Sequence, residues 1–359
     1  MTATAPAAAP VLPETTAPSR GRAALSAAGR WAAALLGALV LFCLLLAAKG
    51  ADPLAVLSGM VTSTLTSPPT LEQIAIKAVP LVLAALAVVI PARAGLTNVG
   101  GEGQVVIGAV AAAGIGLALD PRLAGSLVLV LLLAGGALAG AAWAGLAAAL
   151  RLTAGVNEAV TTLLLNYIAL DVLLYLIYEP WKDPAGSGQP ATRPLEVAAR
   201  LPLLAGTAVH VGVIVALLAA AGTWFALRRT AFGFRLGVVG GNPEAAGRAG
   251  LPVRRLLLTA MLVGGALAGL AGAVHLAGVE FKLRPGLTTN IGYLAFLASW
   301  LVRHRPLPVI GAALLLAGVT IAGDSLQLDS GLPAATVHVL TGLVLLAVLG
   351  WTRRKGSDR

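Results

Sequence analysis

Long apolar runs dominate the chain, broken by short polar segments that carry Gly and Pro. A bilayer core takes roughly 20 apolar residues per helix. On that measure the pattern predicts spans near 31–49, 71–92, 103–119, 123–150, 156–178, 207–227, 256–279, 290–302, 307–322 and 334–351. The eighth and ninth are short and interrupted by proline. The expected fold class is therefore all-α, a polytopic membrane helical bundle of about ten transmembrane helices. Residues 1–30, rich in Ala, Pro, Thr and Ser, read as a disordered cytoplasmic tail. The transmembrane domain is expected over 31–351, with its longest loop at 228–255 and a C-terminal cytoplasmic tail at 352–359. The first apolar run is long for a signal-peptide core and lacks a clean small-x-small cleavage site, so it reads as a retained span.

Composition sharpens the picture. Of 359 residues 58% are hydrophobic and only 11% charged, and the mean hydropathy is +0.90. Soluble domains carry about a quarter charged residues, so most of this surface must meet lipid. The 43 glycines suit close helix–helix approach, which packing rather than the hydrophobic effect drives in a membrane. Cys43 stands alone in an apolar run and the four histidines form no motif, so no disulfide framework and no metal site is expected.

The net charge of +10 raises the question of nucleic acid, and the placement of charge answers it. Basic residues sit in short loops between apolar runs, as topology determinants do. With both termini in the cytoplasm, Arg93, Arg151, Arg228, Arg229, Arg235, Arg248, Arg254, Arg255, Arg303, Arg305, Arg353, Arg354 and Lys355 all fall inside. The outer loops receive a mixture of signs. The expected location is the cell membrane, with the bilayer rather than nucleic acid as partner.

One internal echo stands out. Residues 95–100 read Gly-Leu-Thr-Asn-Val-Gly and 286–292 read Gly-Leu-Thr-Thr-Asn-Ile-Gly. The predicted topology puts the copies on opposite sides, as an inverted repeat would. Chance in a Gly/Leu-rich chain is the other reading.

Three stretches could carry chemistry. In Arg93–Gln104, four glycines permit a tight non-helical turn, while Asn98, Glu102 and Gln104 would either line a pathway or pin that turn. Non-helical backbone at membrane depth is tolerated only inside protein or beside water. In 155–167, a helix would place Glu158, Thr162 and Asn166 on one face, as a polar path or an interhelical clamp. Asn157 and Glu158 equally suit a helix N-terminus. Asp171 lies on another face of that span and needs its own partner. In 230–252, Asn242-Pro243-Glu244 reads as cap, first residue and first turn of a short helix that Gly250 and Pro252 end.

These three stretches together resemble the permease subunits of bacterial ABC importers for simple sugars, nucleosides and branched-chain amino acids. Asn98-x-Gly-x-Glu102-Gly-Gln104 and Asn157-Glu158…Leu-Asn166-Tyr look most like the nucleoside permeases, and the likeness runs through 71–350 in matching order. The resemblance implies a pathway shared with a second permease chain, the same or related. It also implies a separate cytoplasmic ATP-binding subunit and a substrate-binding lipoprotein outside. Gly241, Asn242, Pro243, Glu244, Ala245, Ala246 and Gly250 would then form the coupling helix, and Asn98, Glu102, Gln104, Asn157, Glu158, Thr162, Asn166, Asn290 and Tyr293 the pathway. No Gly-x-x-x-x-Gly-Lys-[Ser/Thr] loop occurs, so no nucleotide cofactor and no enzymatic activity is expected of this chain. One departure matters. Where the family has a Gly-rich run after Asn290-Ile-Gly, this chain has Tyr293, Phe296 and Trp300 on one helical face, to stack on a ring or to pack the bundle. A ribose-like sugar or a branched-chain amino acid is the nearest alternative cargo. An ion-coupled carrier using Glu102, Glu158 or Asp171 is the rival mechanism.

Overall fold

In the computed structural model, the structure describes residues 36–37, 39–119, 122–186, 188–288, 290–330, 339 and 342. The expected tails at 1–30 and 352–359 lie outside the described residues, as does all but two positions of the span expected at 334–351. Apart from one isolated bridge between Leu203 and His210, the regular structure among the described residues is helical. The chain divides into two units, 1–53 with 339–359, and 54–338. The first contributes α1 (Leu39–Ala48), whose Val40, Leu41 and Leu44 are exposed.

The second unit holds α2 (Pro53–Leu65), α3 (Pro68–Arg93), α4 (Gly101–Leu119), α5 (Gly125–Ala154), α6 (Glu158–Tyr178), α7 (Gly212–Arg229), α8 (Ala231–Gly241), α9 (Pro243–Arg248), α10 (Val253–His275), α11 (Ile291–Leu301) and α12 (Pro308–Ser330). Helix α10 runs on through a π-helical turn, Leu276–Glu280. Among the described residues six helices are long and apolar enough to cross a membrane: α3 to α7, and α10 with its extension.

The expected count of ten is therefore not reached among the described residues, for a physical reason. The span expected at 290–302 is a helix of 11 residues, about 16 Å at 1.5 Å per residue, half of a ~30 Å core. The span expected at 307–322 is an apolar helix over Pro308–Asp324, about 26 Å at 1.5 Å per residue and so also short of that core. Two helices were not anticipated. Helix α2 is too short for a span, and its Ser58 and Thr62 hydroxyls donate back to the carbonyls of Ala55 and Ser58 at 3.0 and 2.8 Å. Helix α8 is rich in glycine, a composition that suggests a loop rather than a helix.

Helix α3 is the centre of the second unit. Every residue from Ala78 to Pro91 is buried, which explains a sequence apolar all round. Helices α10, α11, α12 and α7 pack on it, and α10 also packs on α4 and α5. The α5–α10 seam is built from Gly136, Gly140 and Ala144 against Gly265 and Gly269. A Cβ on Gly269 would collide with the carbonyl oxygen of Gly136, and one on Gly140 with that of Gly265. Backbone therefore touches backbone, the close packing small residues allow in lipid. Helices α5, α6 and α7 turn Leu138, Leu164, Leu218 and Phe225 outward, a surface that water would not tolerate at this density.

The loop between α6 and α7 is sewn to the chain after α10. The Leu195 and Leu201 N–H groups donate to the carbonyls of Phe281 and Ala277 at 2.7 and 2.9 Å. The Arg200 guanidinium lies 4.4 Å from the Phe281 ring centre, a cation–π contact.

Gly269→Leu should lower the stability of the detergent-solubilised chain by about 1–3 kcal/mol through overpacking. Gly222→Ala, on an open face of α7, should raise it by about 0.5–1 kcal/mol. Thermal unfolding of the two variants side by side checks the contrast.

Candidate functional site

Between α3 and α4 the chain unwinds over 94–100. Gly95 takes φ +78°, where an L side chain is strained. This segment runs against α6, and α6 supplies the hydrogen bonds that a helix would otherwise make. Thr97 N–H donates to Glu158 Oε1 at 3.0 Å, Val99 N–H to Thr162 Oγ1 at 3.2 Å and Gly103 N–H to Asn166 Oδ1 at 2.8 Å. The Asn166 amide returns a bond to the Val99 carbonyl at 3.1 Å. The polar stripe of α6 is thus a ladder for irregular backbone.

The ladder fits because glycine lets the chains touch. A Cβ on Gly100 would lie 2.8 Å from Thr162 Cβ, and one on Gly103 2.9 Å from Asn166 Cα. Gly103 is level with Asn166, eight residues into α6 and so about 12 Å along it. Helix α4 therefore starts well inside the depth that α6 spans.

Asn98 and Gln104 are both buried and pair amide to amide. Asn98 Nδ2 donates to Gln104 Oε1 at 3.0 Å, and Gln104 Nε2 to Asn98 Oδ1 at 2.9 Å. Glu158 takes a second bond from Arg151. Asn157 is the exposed N-cap of α6, accepting from Ala159 N–H at 2.8 Å.

Glu102 reaches across to the second echo segment. It accepts from the Thr288 hydroxyl and, at 2.6 Å, from Gly292 N–H. A carboxylate there satisfies the N-terminus of α11, where backbone N–H groups are unpaired and the helix dipole is positive. Gly292 allows this approach, since a Cβ would strike the backbone of Glu102. The two echo segments thus meet, joined by Glu102. Asn290, exposed at φ +67°, precedes α11 and makes no side-chain cap bond. Tyr293 stands half-exposed on α11, its hydroxyl 3.3 Å from the Asn166 amide. Phe296 and Trp300 follow on the same helix with ring centres 5.9 Å apart.

The opposite face of α6 was only half legible. Asp171 lies there, exposed, without a partner among the described residues. Tyr167, Tyr175 and Tyr178 flank it, and each is more than half exposed. Helical spacing could have found these tyrosines, because positions 167, 171, 175 and 178 share one face.

The loop at 228–255 folds into α8 and α9. Helix α9 is capped as its residues suggest. Asn242 Oδ1 accepts from Ala245 N–H at 3.0 Å, Pro243 is the first residue and Gly250 takes φ +81° beyond the end. Ala246 is buried, while Gly241, Asn242, Pro243, Glu244, Ala245 and Gly250 are exposed. Helix α8 seats against the end of α3: a Cβ on Gly95 would lie 3.3 Å from Gly240 Cα, and one on Gly237 2.9 Å from the Arg93 guanidinium.

Residues 70–349 match the family described as branched-chain amino acid transport system / permease component. A glucose ABC transporter permease protein of Haloferax volcanii is 35% identical over 88% of this chain and 85% of its own length. A guanosine ABC transporter permease protein of Bacillus subtilis is 34% identical over 78% of this chain and 83% of its own. A nucleoside ABC transporter permease protein of Lactococcus lactis is 26% identical over 88% and 87%. No solved structure is significantly similar to the chain.

Asn166→Leu should cost about 1–3 kcal/mol for each backbone group it orphans, because Gly103 N–H and Val99 C=O lose their partner together. Asn157→Ala should cost about 1 kcal/mol, the loss of one exposed cap. Chemical unfolding in detergent should rank the two in that order, and equal effects would argue against the ladder.

Proposed function

This chain belongs to the branched-chain amino acid transport permease family, and we propose that it is the membrane-spanning half of an ATP-driven importer of nucleosides. As a member of a family of ABC transporter permeases it is a membrane component and not an enzyme. The importer reading places a second permease chain, the same or related, beside it. A separate cytoplasmic ATP-binding subunit docks on α9, and a substrate-binding lipoprotein delivers cargo from outside. The orientation that goes with this has both termini in the cytoplasm.

The outward face of α6 carries the proposal. Asp171 is the fourteenth residue of a 21-residue helix, so it lies roughly 10 Å from the nearer end. A short carboxylate cannot reach the interface from there, and such groups in a span face water or partners rather than lipid. Tyr167, Tyr175 and Tyr178 beside it offer rings for stacking and hydroxyls for hydrogen bonds. A ribose and base need hydroxyl acceptors and an aromatic surface, which this face supplies. Glu102 and Glu158 are committed to backbone and to Arg151, so neither is a free relay for a coupling ion. An amino-acid zwitterion would need paired charges that this face does not offer.

A simple sugar is the second reading, favoured by the 35% identity to the Haloferax glucose permease. Its hydroxyls suit Asp171, but it has less use for three tyrosines.

The test is uptake into vesicles holding this chain with its ATPase, its partner permease and its binding protein, using labelled guanosine, adenosine, uridine, ribose and glucose. The expected result is nucleoside uptake that needs ATP and falls at least tenfold in Ala246→Arg, which unseats α9. Uptake of glucose alone would favour the second reading. Uptake by this chain alone on a proton or sodium gradient would sink both.

A further inference from the structure

The ends of α3, α7 and α11 come together around a cavity of about 560 Å³. Its walls include Arg93, Arg228, Arg303 and Arg305, and among the described residues no Asp or Glu lines it. None of these four arginines is ion-paired among the described residues. Three far-apart stretches of sequence are needed to build it: the last residue of α3, the junction of α7 and α8 from Leu227 to Phe234, and the turn between α11 and α12.

Two features separate this from a scatter of solvated charges. Arg303 and His304 both take φ +54°, a conformation that costs energy in a bulky residue and persists only where the surroundings hold it. The surroundings are on the page: His304 Nδ1 lies 2.8 Å from the Ser299 hydroxyl, and its ring meets Trp300 edge-on at 5.0 Å. The turn is thus fixed with Arg303 and Arg305 on the cavity wall. Burial also holds the His304 imidazole below its usual pKa, so it adds no charge near neutral pH.

Arginines near helix C-termini partly answer the helix dipoles, and three such termini offset roughly one and a half of the four positive charges. A net excess of two or more remains, held in a concave site and uncompensated by the protein. The lining is also partly apolar: Phe234, 70% exposed, stands at the cavity with Leu227 and Pro306. Free phosphate has no use for that lining, whereas a lipid has both a phosphodiester and acyl chains. Basic pockets between transmembrane helices take anionic head groups on this principle, and arginine grips phosphate oxygens in pairs.

We propose that this cavity binds the phosphodiester head group of an anionic membrane lipid, with Arg93, Arg228, Arg303 and Arg305 on the phosphate and Phe234 against the acyl chains. The lipid would tie the α11–α12 turn to α8 and to the end of α3, the junction from which the unwound segment departs. This site is independent of which solute the chain carries.

Native mass spectrometry of the full chain, released from bilayers of phosphatidylcholine and phosphatidylglycerol, tests it. The expected result is one tightly retained phosphatidylglycerol, and a rise in thermal stability with that lipid over phosphatidylcholine alone. Retention should weaken about fivefold for each arginine changed to Gln, recover in Arg303→Lys/Arg305→Lys, and stay unchanged in Arg254→Gln/Arg255→Gln. Equal retention of both lipids would overturn the proposal. So would displacement by inorganic phosphate at millimolar level with no lipid preference. Unchanged lipid retention in a quadruple Arg→Gln variant that no longer assembles with its ATPase would assign the cavity to that partner instead.

Discussion

Backbone polar groups in a membrane must find partners inside the protein, and the unwound segment 94–100 is where this chain meets that demand without a helix. Each unsatisfied group would cost several kcal/mol in hydrocarbon. Glu158, Thr162 and Asn166 answer from one face of α6, bonding Thr97, Val99 and Gly103. Much else follows from this. Residues 100 and 103 must be glycine for α6 to come close enough, and Asn98 pairs with Gln104 while also accepting from Gly100 N–H and donating to the Ala87 carbonyl. Helix α4 can then start at depth and present Glu102 to the next helix.

The second constraint is the half-length of α11. A helix that begins inside the bundle exposes its N–H groups there, and Glu102 supplies the acceptor. One carboxylate thereby links two short segments of nearly the same sequence. The packing around them is reciprocal: α3 meets α10, α10 also meets α4, and α3 also meets α11. An inverted repeat relating α3–α4 to α10–α11 would pack in this way.

Local chemistry was legible in the sequence, and long-range chemistry was not. Asn242, Pro243 and Gly250 announce α9 because capping depends on residues a few positions apart. Glu158, Thr162 and Asn166 declare a polar face for the same reason. That this face meets Thr97, Val99 and Gly103 depends on a separation of some sixty residues, which periodicity cannot report. The membrane ruler found the long helices α3 to α7 and α10 and overcounted at α11, because apolar length does not say whether a helix crosses or stops half-way. Helix α8 was hidden by its composition. Gly237, Gly240 and Gly241 are poor helix formers, and it is the contact of Gly237 and Gly240 with Arg93 and Gly95, not propensity, that keeps the helix in place.

That contact also bears on how the two ends of the molecule communicate. A Cβ on Gly240 would strike the carbonyl oxygen of Arg93, and Gly95 lies against the same turn of α8. Two residues beyond Gly95 begins the backbone that α6 holds. The joint between them has no side chain to deform, so a shift of α8 is passed to the 94–100 segment directly, as packed interiors transmit strain. The ladder at α6 sets the resistance, since moving the segment by a bond length breaks three or four hydrogen bonds worth about 1 kcal/mol each. Binding energy at the exposed surface of α9 is of the right size to do that, and a partner that bound both positions of α8 equally would move nothing. If α9 is the docking helix of an ATPase, the glycine contact at Gly240 is the place where its work enters the bundle.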